Sequence, residues 1–110
     1  EVLSCNFKIF SSIKMKGFLK VQKRTANDYK SNVKPSWCPG CGDYAVLAAI
    51  TSVMAELNYD PDETAIVSGI GCSSRLPFFT KTYGFHTIHG RALPISIGLK
   101  ASNPNINVLI

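Results

Sequence analysis

The sequence predicts an open α/β sheet, in which parallel strands are flanked by helices. Two short apolar runs rich in β-branched residues, Thr64 to Ile70 and Ile106 to Ile110, have the length and the bounds of buried strands. Two segments with helical spacing alternate with them, one from Asp43 onward and one from Ala92 to Ala101. The order helix, strand, long loop, helix, strand is typical of a parallel sheet whose helices cover its faces.

The 110-residue chain has a net charge of +5, and all of that charge belongs to its first 26 residues. Residues 1–26 carry six basic side chains against Glu1, whereas residues 27–110 carry six of each sign. We therefore expect no nucleic-acid partner. No apolar run approaches the ~20 residues that span a bilayer, so we expect no membrane association and a cytoplasmic protein. Four cysteines without a secretory signal favour metal or redox ligands over a disulfide framework.

Residues 1–26 are interpreted as a leader outside the fold. Lysines interrupt the apolar stretch from Phe7 to Leu19, so it is not the core of a secretory signal. A targeting peptide is one interpretation, because the segment is basic and poor in acidic residues. The preferred interpretation is a translation start at Met15, with residues 1–14 as upstream sequence translated in frame. The folded domain is then expected to span residues 27–110.

The first helix is expected to begin at Asp43, whose carboxylate can cap its N-terminus. Asn58 and Asp60-Pro61 are expected to end it. Its large apolar residues form a wide stripe, which predicts burial on more than one side of the helix. These residues are Val46, Leu47, Ile50, Val53, Met54 and Leu57.

Residues 73–90 are interpreted as one long connection, and a connection of that length inside a compact domain is usually functional. In the helix that follows, Pro94 fits the first turn, and Asn103-Pro104-Asn105 is expected to terminate it. The strand from Ile106 is still in progress where the sequence stops at Ile110. We therefore interpret residues 27–110 as the N-terminal part of a larger domain.

Three cysteines, Cys38, Cys41 and Cys72, lie beside turn-forming glycine or proline and can point toward a shared ligand. An iron–sulfur cluster uses all three thiols but needs a fourth ligand. A structural zinc site would add His86 or His89. A redox dithiol uses only the first two, and polar residues precede them where a thioredoxin-like protein has a buried strand. From the residues alone, the iron–sulfur cluster and the zinc site are ranked close together, and the redox dithiol is ranked below both.

Two basic positions lie near these cysteines. His86-x-x-His89-Gly90-Arg91 precedes a helix, whose N-terminal N–H groups, together with Arg91, can hold a phosphate or a carboxylate. Arg75 follows Cys72 by three residues, beyond the carboxyl end of a predicted strand. Open α/β sheets bind their ligands at that end, which favours a functional role for Arg75.

Three segments, Trp37 to Asp43, Ser68 to Arg75 and Gly84 to Ala92, closely resemble the β subunit of 2-oxoacid:ferredoxin oxidoreductases in order and spacing. The resemblance covers about residues 28–110. It implies an open parallel sheet that binds thiamine diphosphate and Mg²⁺, and a [4Fe–4S] cluster on Cys38, Cys41 and Cys72. The family's fourth cysteine and its Gly-Asp-Gly magnesium motif lie further downstream, so the resemblance implies an N-terminal fragment.

The resemblance also assigns roles to single residues. The loop formed by Ile70, Gly71, Cys72 and Ser73 matches the one that contacts the thiamine cofactor, and His89 matches a histidine that contacts it. Arg75 matches a basic position that we assign to the substrate carboxylate. The implied reaction converts a 2-oxoacid to an acyl-CoA, with 2-oxoglutarate favoured and pyruvate as the alternative. The implied partners are an α subunit, ferredoxin, the 2-oxoacid and coenzyme A.

Overall fold

The computed structural model describes residues 23–110, which form a parallel sheet with helices packed against it. The α/β fold class predicted from the sequence is confirmed. The two helices are α1 (Asp43–Glu56) and α2 (Ala92–Ser102), and the three strands are β1 (Thr64–Ser68), β2 (Tyr83–His86) and β3 (Asn107–Leu109). Residues 23–110 also contain three short 3-10 helices, one before α1 at Ala26–Tyr29 and two in connections at Pro61–Glu63 and Ser73–Phe79.

The sheet has the order β2-β1-β3, so the first of these three strands in the sequence is the central one. It pairs in parallel with β2 from Ala65 opposite Tyr83 to Ser68 opposite His86. It also pairs in parallel with β3. Residues 64–67 are buried, as predicted for this strand, which ends at Ser68 and not at Ile70. Because all three strands are parallel, their carboxyl ends meet at one edge.

The strand β2 lies inside the segment that the sequence analysis interpreted as one long connection, and that interpretation is wrong. Residues 73–90 contain a 3-10 helix, a strand and two loops. All four residues of β2 are exposed, so no buried apolar run marks it in the sequence. Gly84 fits where a larger residue would not, because a Cβ atom there would lie 2.9 Å from Cβ of Pro77.

The helix α1 begins at the predicted residue, but Asp43 does not cap it. Gly42 occupies the cap position without a side-chain hydrogen bond, and Asp43 is the first helical residue. Near the helix N-terminus its carboxylate still interacts favourably with the helix dipole. Asn58 follows the helix with a φ of 49°, and this left-handed residue ends it as expected.

The predicted burial of α1 on more than one side is not what the structure shows. Its buried residues are Leu47, Thr51 and Met54, which lie on one face. Val46 and Val53 are 46% and 49% exposed. The Thr51 hydroxyl donates to the carbonyl of Leu47 at 2.9 Å, so its burial leaves no unpaired polar atom.

The second helix, α2, is confirmed within one residue of its predicted end, and Pro94 lies in its first turn as expected. Ser96 is its buried residue, and the hydroxyl donates to the carbonyl of Ala92 at 2.7 Å. The strand predicted over residues 106–110 is present as β3, Asn107–Leu109.

The core cluster joins the segment before α1 to the sheet and the 3-10 helix. Trp37 meets Phe79 edge to face, with ring centroids 4.7 Å apart, and meets Tyr44 in the same way at 5.3 Å. This packing fixes the residue that immediately precedes Cys38. The buried members of the cluster are Trp37, Leu47, Ile66, Leu76 and Phe79.

The described fold also includes the last residues of the segment interpreted as a leader. The Arg24 side chain donates to the Tyr59 carbonyl at 3.3 Å and pairs with the Asp60 carboxylate at 3.2 Å. Tyr29 is fully buried and donates to the same carbonyl at 2.6 Å. Residues 1–22, with the proposed start at Met15, lie outside the described residues. Among residues 23–110, no helix is long and apolar enough to cross a membrane.

Candidate cofactor and cluster site

The carboxyl edge of the sheet brings together the loops that follow β1 and β2. Thr87, directly after β2, donates to the Ser68 carbonyl through both its N–H and its hydroxyl, each at 2.9 Å. Ser68 is the last residue of β1. These two bonds hold the beginnings of both loops side by side, so the loop that contains Cys72 and the loop that contains His89 start from the same edge of the sheet, where open α/β sheets bind their ligands.

The loop after β1 is held by its own serine hydroxyls. Ser68 donates to the carbonyl of Ser74 at 2.7 Å, and Ser74 donates to the carbonyl of Ile70 at 2.7 Å. Gly71 has a φ of +97°, a conformation that favours glycine, and nothing lies within 4 Å of the Cβ position. The loop therefore turns sharply, keeps a fixed backbone and leaves Cys72 exposed.

The loop that carries the other two cysteines is a tight turn leading into α1. The Cys41 N–H donates to the carbonyl of Cys38 at 3.0 Å, and Gly40 within the turn has a φ of +78°. Cys38 is exposed, whereas Cys41 is half-buried against the core cluster. The Cys41 thiol lies 3.4 Å from a carboxylate oxygen of Asp43.

A hydrogen bond from Trp37 ties the two cysteine loops to each other. Its indole Nε1–H donates to the carbonyl of Cys72 at 2.7 Å. The structure thus places Cys38, Cys41 and Cys72 on two loops joined by a buried side chain, and all three are free thiols. Thiolates are soft ligands suited to iron–sulfur clusters.

The arrangement does not choose between the zinc and the cluster interpretations. Within residues 23–110, no group of three or more His, Cys, Asp or Glu side chains is placed to hold a metal ion. Both interpretations stay predictions that rest on the residue types.

The two histidines have different surroundings. His86 stacks on Phe78 with ring centroids 4.2 Å apart, and its Nδ1 lies 3.3 Å from the Ser68 hydroxyl. It therefore belongs to the packing between β2 and the 3-10 helix. His89 is exposed in the loop after β2 and is followed by Gly90, whose φ is +72°.

The remaining predicted site residues lie near the same edge. Arg75 is exposed in the 3-10 helix that follows Cys72. Ile70 and Ser73 are exposed on either side of Gly71 and Cys72. Arg91 is the cap residue of α2 and is also exposed.

No family model matches the chain, but it is similar to subunits of oxidoreductases named for 2-oxoacids or 2-oxoglutarate. The 2-oxoacid:ferredoxin oxidoreductase 1, subunit beta, of Aeropyrum pernix is 48% identical over 87 residues, which are 79% of this chain and 27% of the relative. The 2-oxoglutarate oxidoreductase subunit KorB of Mycobacterium tuberculosis is 43% identical over 89 residues, which are 81% of this chain and 24% of the relative. Over these residues, the chain belongs to the 2-oxoacid:ferredoxin oxidoreductase β subunits.

A solved structure agrees with this family assignment. The 2-oxoglutarate:ferredoxin oxidoreductase from Magnetococcus marinus, with 2-oxoglutarate, coenzyme A and succinyl-CoA bound, matches with a TM-score of 0.78 and 43% identity. The match covers 84% of this chain and 32% of that chain. The β-subunit chain described here spans about a quarter of the length of the curated relatives it matches, 27% and 24% for the two named.

Several residues that shape this β-subunit site were not found from the sequence. Trp37 and Thr87 hold the loops by donating to main-chain carbonyls of other segments, and Ser74 donates to the Ile70 carbonyl within its own loop. The available signal was residue type, because Ser and Thr side chains outside regular elements often bond to nearby backbone. No comparable signal in the sequence identifies the Cys72 carbonyl as the hydrogen-bond partner of Trp37.

Proposed function

We propose that the chain forms part of the thiamine-diphosphate-binding subunit of an enzyme that oxidatively decarboxylates a 2-oxoacid to an acyl-CoA and passes the electrons to ferredoxin. One observation carries the proposal: the 2.7 Å bond from Trp37 to the Cys72 carbonyl joins the two cysteine loops at the carboxyl edge of the sheet, where open α/β sheets bind their ligands. Relatives at 48% and 43% identity, named as subunits of such enzymes, support it.

Cys38, Cys41 and Cys72 are the proposed ligands of a [4Fe–4S] cluster. When bound, the cluster supplies one-electron transfer. The contribution of this chain is to hold three thiolates on loops with fixed backbones, through the turn at Gly40 and the serine bonds around Gly71. A four-cysteine set needs one further thiolate beyond these three.

The loop from Ile70 to Ser73 and the side chain of His89 are the proposed contacts of thiamine diphosphate, whose diphosphate group would be held through Mg²⁺. When bound, the thiamine ring supplies the electron sink for decarboxylation. Gly71 leaves its backbone open to a ligand, since a Cβ atom there would meet nothing within 4 Å. Cys72 belongs to both proposed sites, so the cofactor and the cluster would be neighbours.

Arg75 is proposed to bind the carboxylate of the 2-oxoacid. Its guanidinium presents paired N–H donors that match a carboxylate, and it is exposed beyond the carboxyl end of β1. We favour 2-oxoglutarate over pyruvate as the substrate. The form Ser73-Ser74-Arg75 and the similarity to an oxidoreductase solved with 2-oxoglutarate bound support that choice.

The proposed partners are an α subunit of the same enzyme, ferredoxin and coenzyme A. The relatives are themselves named as subunits, and the solved structure contains coenzyme A and succinyl-CoA. A cytoplasmic location is part of the proposal, because free thiols such as these three persist in a reducing compartment.

The test is an anaerobic assay of the assembled enzyme with thiamine diphosphate, Mg²⁺ and coenzyme A. We expect 2-oxoglutarate to drive reduction of ferredoxin or a viologen, with succinyl-CoA as product and a faster rate than with pyruvate. The purified protein should be brown and contain iron and acid-labile sulfide. Omission of coenzyme A is the control and should suppress acyl-CoA formation. A colourless, zinc-containing protein without 2-oxoacid oxidation would refute the proposal.

A further inference from the structure

Trp37 lies between the two cysteine loops and contacts both of them. It immediately precedes Cys38, so its backbone begins the first loop. Its indole N–H reaches across to the carbonyl of Cys72 in the second loop, at 2.7 Å. The residue is only 7% exposed, and its ring packs edge to face against Phe79 and Tyr44. A displacement of either loop would therefore have to move this side chain.

We propose that Trp37 is a positioning residue that keeps the Cys38–Cys41 loop in register with Cys72 and thereby determines how tightly an iron–sulfur cluster is held. This inference rests on the proposed cluster site. Partners outside the ligand set commonly control how firmly metal ligands are oriented, because they remove the freedom of the ligand loops. Tyr44 reinforces the arrangement by donating its hydroxyl to the Trp37 carbonyl at 3.0 Å.

Packing alone does not account for a tryptophan at this position. A phenylalanine would also fill an aromatic cluster, whereas an indole brings an N–H that needs an acceptor when it is buried. The Cys72 carbonyl would keep a hydrogen-bond donor without Trp37, because the N–H of Arg75 also donates to it, at 3.2 Å. The specific contribution of the indole N–H is thus the link between the loops.

The test replaces Trp37 in the assembled enzyme and follows the loss of iron. Trp37→Phe removes the N–H with some ring area, and the benzothiophene analogue of tryptophan replaces the N–H by sulfur at nearly constant shape. Tyr29→Phe is the matched control, since it removes a buried aromatic hydroxyl that donates to the Tyr59 carbonyl, outside both cysteine loops. We expect both Trp37 variants to release iron to a chelator roughly tenfold faster than the wild type. The control should match the wild type.

A second measurement does not depend on the cluster. Amide hydrogen exchange across residues 69–75 should rise in both Trp37 variants, with or without iron, and stay unchanged in Tyr29→Phe. Wild-type protein without iron would refute the proposed cluster, and exchange in the apo protein would then decide the role of Trp37. Unchanged exchange across residues 69–75 in the Trp37 variants would overturn the inference, as would equal iron loss in all variants.

Discussion

Gly84 is the position where the structure predicts the sharpest response to a single methyl group. A Cβ atom there would lie 2.9 Å from Cβ of Pro77, whereas carbon atoms pack at about 3.5–4.0 Å. The strand β2 and the proline would have to separate by roughly 0.6 Å to reach that contact distance. Pro77 is buried and its ring is rigid, so it cannot rotate away.

The expected cost of Gly84→Ala follows from two opposing effects. Overpacking of this kind costs about 1–3 kcal/mol, while the loss of glycine's freedom in the unfolded chain returns about 0.4–1 kcal/mol. We expect a net loss of about 1–2 kcal/mol in the free energy of unfolding. Since Pro77 and Arg75 share the 3-10 helix Ser73–Phe79, the KM for the 2-oxoacid should also rise.

Urea unfolding of the purified β subunit measures this loss as a lower midpoint at unchanged slope. The matched control is Gly98→Ala in α2, where a Cβ atom would meet nothing within 4 Å. Alanine is the better helix former, so this control should gain about 0.5–1 kcal/mol. Equal stabilisation of both variants would refute the predicted clash between β2 and Pro77.

Three further changes test the site and the body of the fold. Cys72→Ser should lower ferredoxin reduction by orders of magnitude while CO₂ release persists, because the hydroxyl is a poor cluster ligand; normal reduction with an intact visible spectrum would exclude Cys72 as a ligand. Arg75→Gln should raise the KM for the 2-oxoacid roughly 10- to 100-fold with a smaller effect on kcat, whereas Lys81→Gln, as a control, should leave steady-state kinetics unchanged. Burial raises the pKa of Tyr29 above the usual 10.0. The stabilisation that the neutral Tyr29 side chain gives the folded protein is therefore complete below that usual pKa, and it is lost as the pH rises through the pKa of the folded state. Tyr29→Phe should therefore be the less stable protein at about pH 8, and its deficit in urea midpoint should narrow at about pH 11; a constant deficit would contradict this.

The elements with local sequence patterns were predicted, and the element without one was not. The two helices, β1 and β3 were found because apolar spacing and turn residues define them locally. The strand β2 has four exposed residues, and its pairing with β1 is what makes it a strand. The buried face of α1 was misjudged because apolar residues surround the helix, so their spacing does not select one face.

The candidate site residues were chosen from the sequence because residue type carries their chemistry, and their roles stay predictions. Cys72 and Arg75 follow a predicted strand, whereas Cys38, Cys41 and His89 precede predicted helices. The hydrogen bonds that hold the loops of that site were not predicted, because Trp37 and Thr87 donate to carbonyls that are 35 and 19 residues away in the chain. Hydrogen bonds to main-chain oxygen atoms leave no mark on the residue that accepts them.

The strand order β2-β1-β3 has a consequence for the sequence of folding events. Among the strands of residues 23–110, the central one is synthesised first, and both of its neighbours follow it in the chain. Its two hydrogen-bonding edges therefore remain open until residues 83–86 and then 107–109 have been synthesised. The Cys72 loop acquires its anchor at Thr87 only when β2 has paired. We therefore expect iron–sulfur loading to follow β2 pairing, so that the nascent chain does not present an ordered thiol site before β1 and β2 have paired.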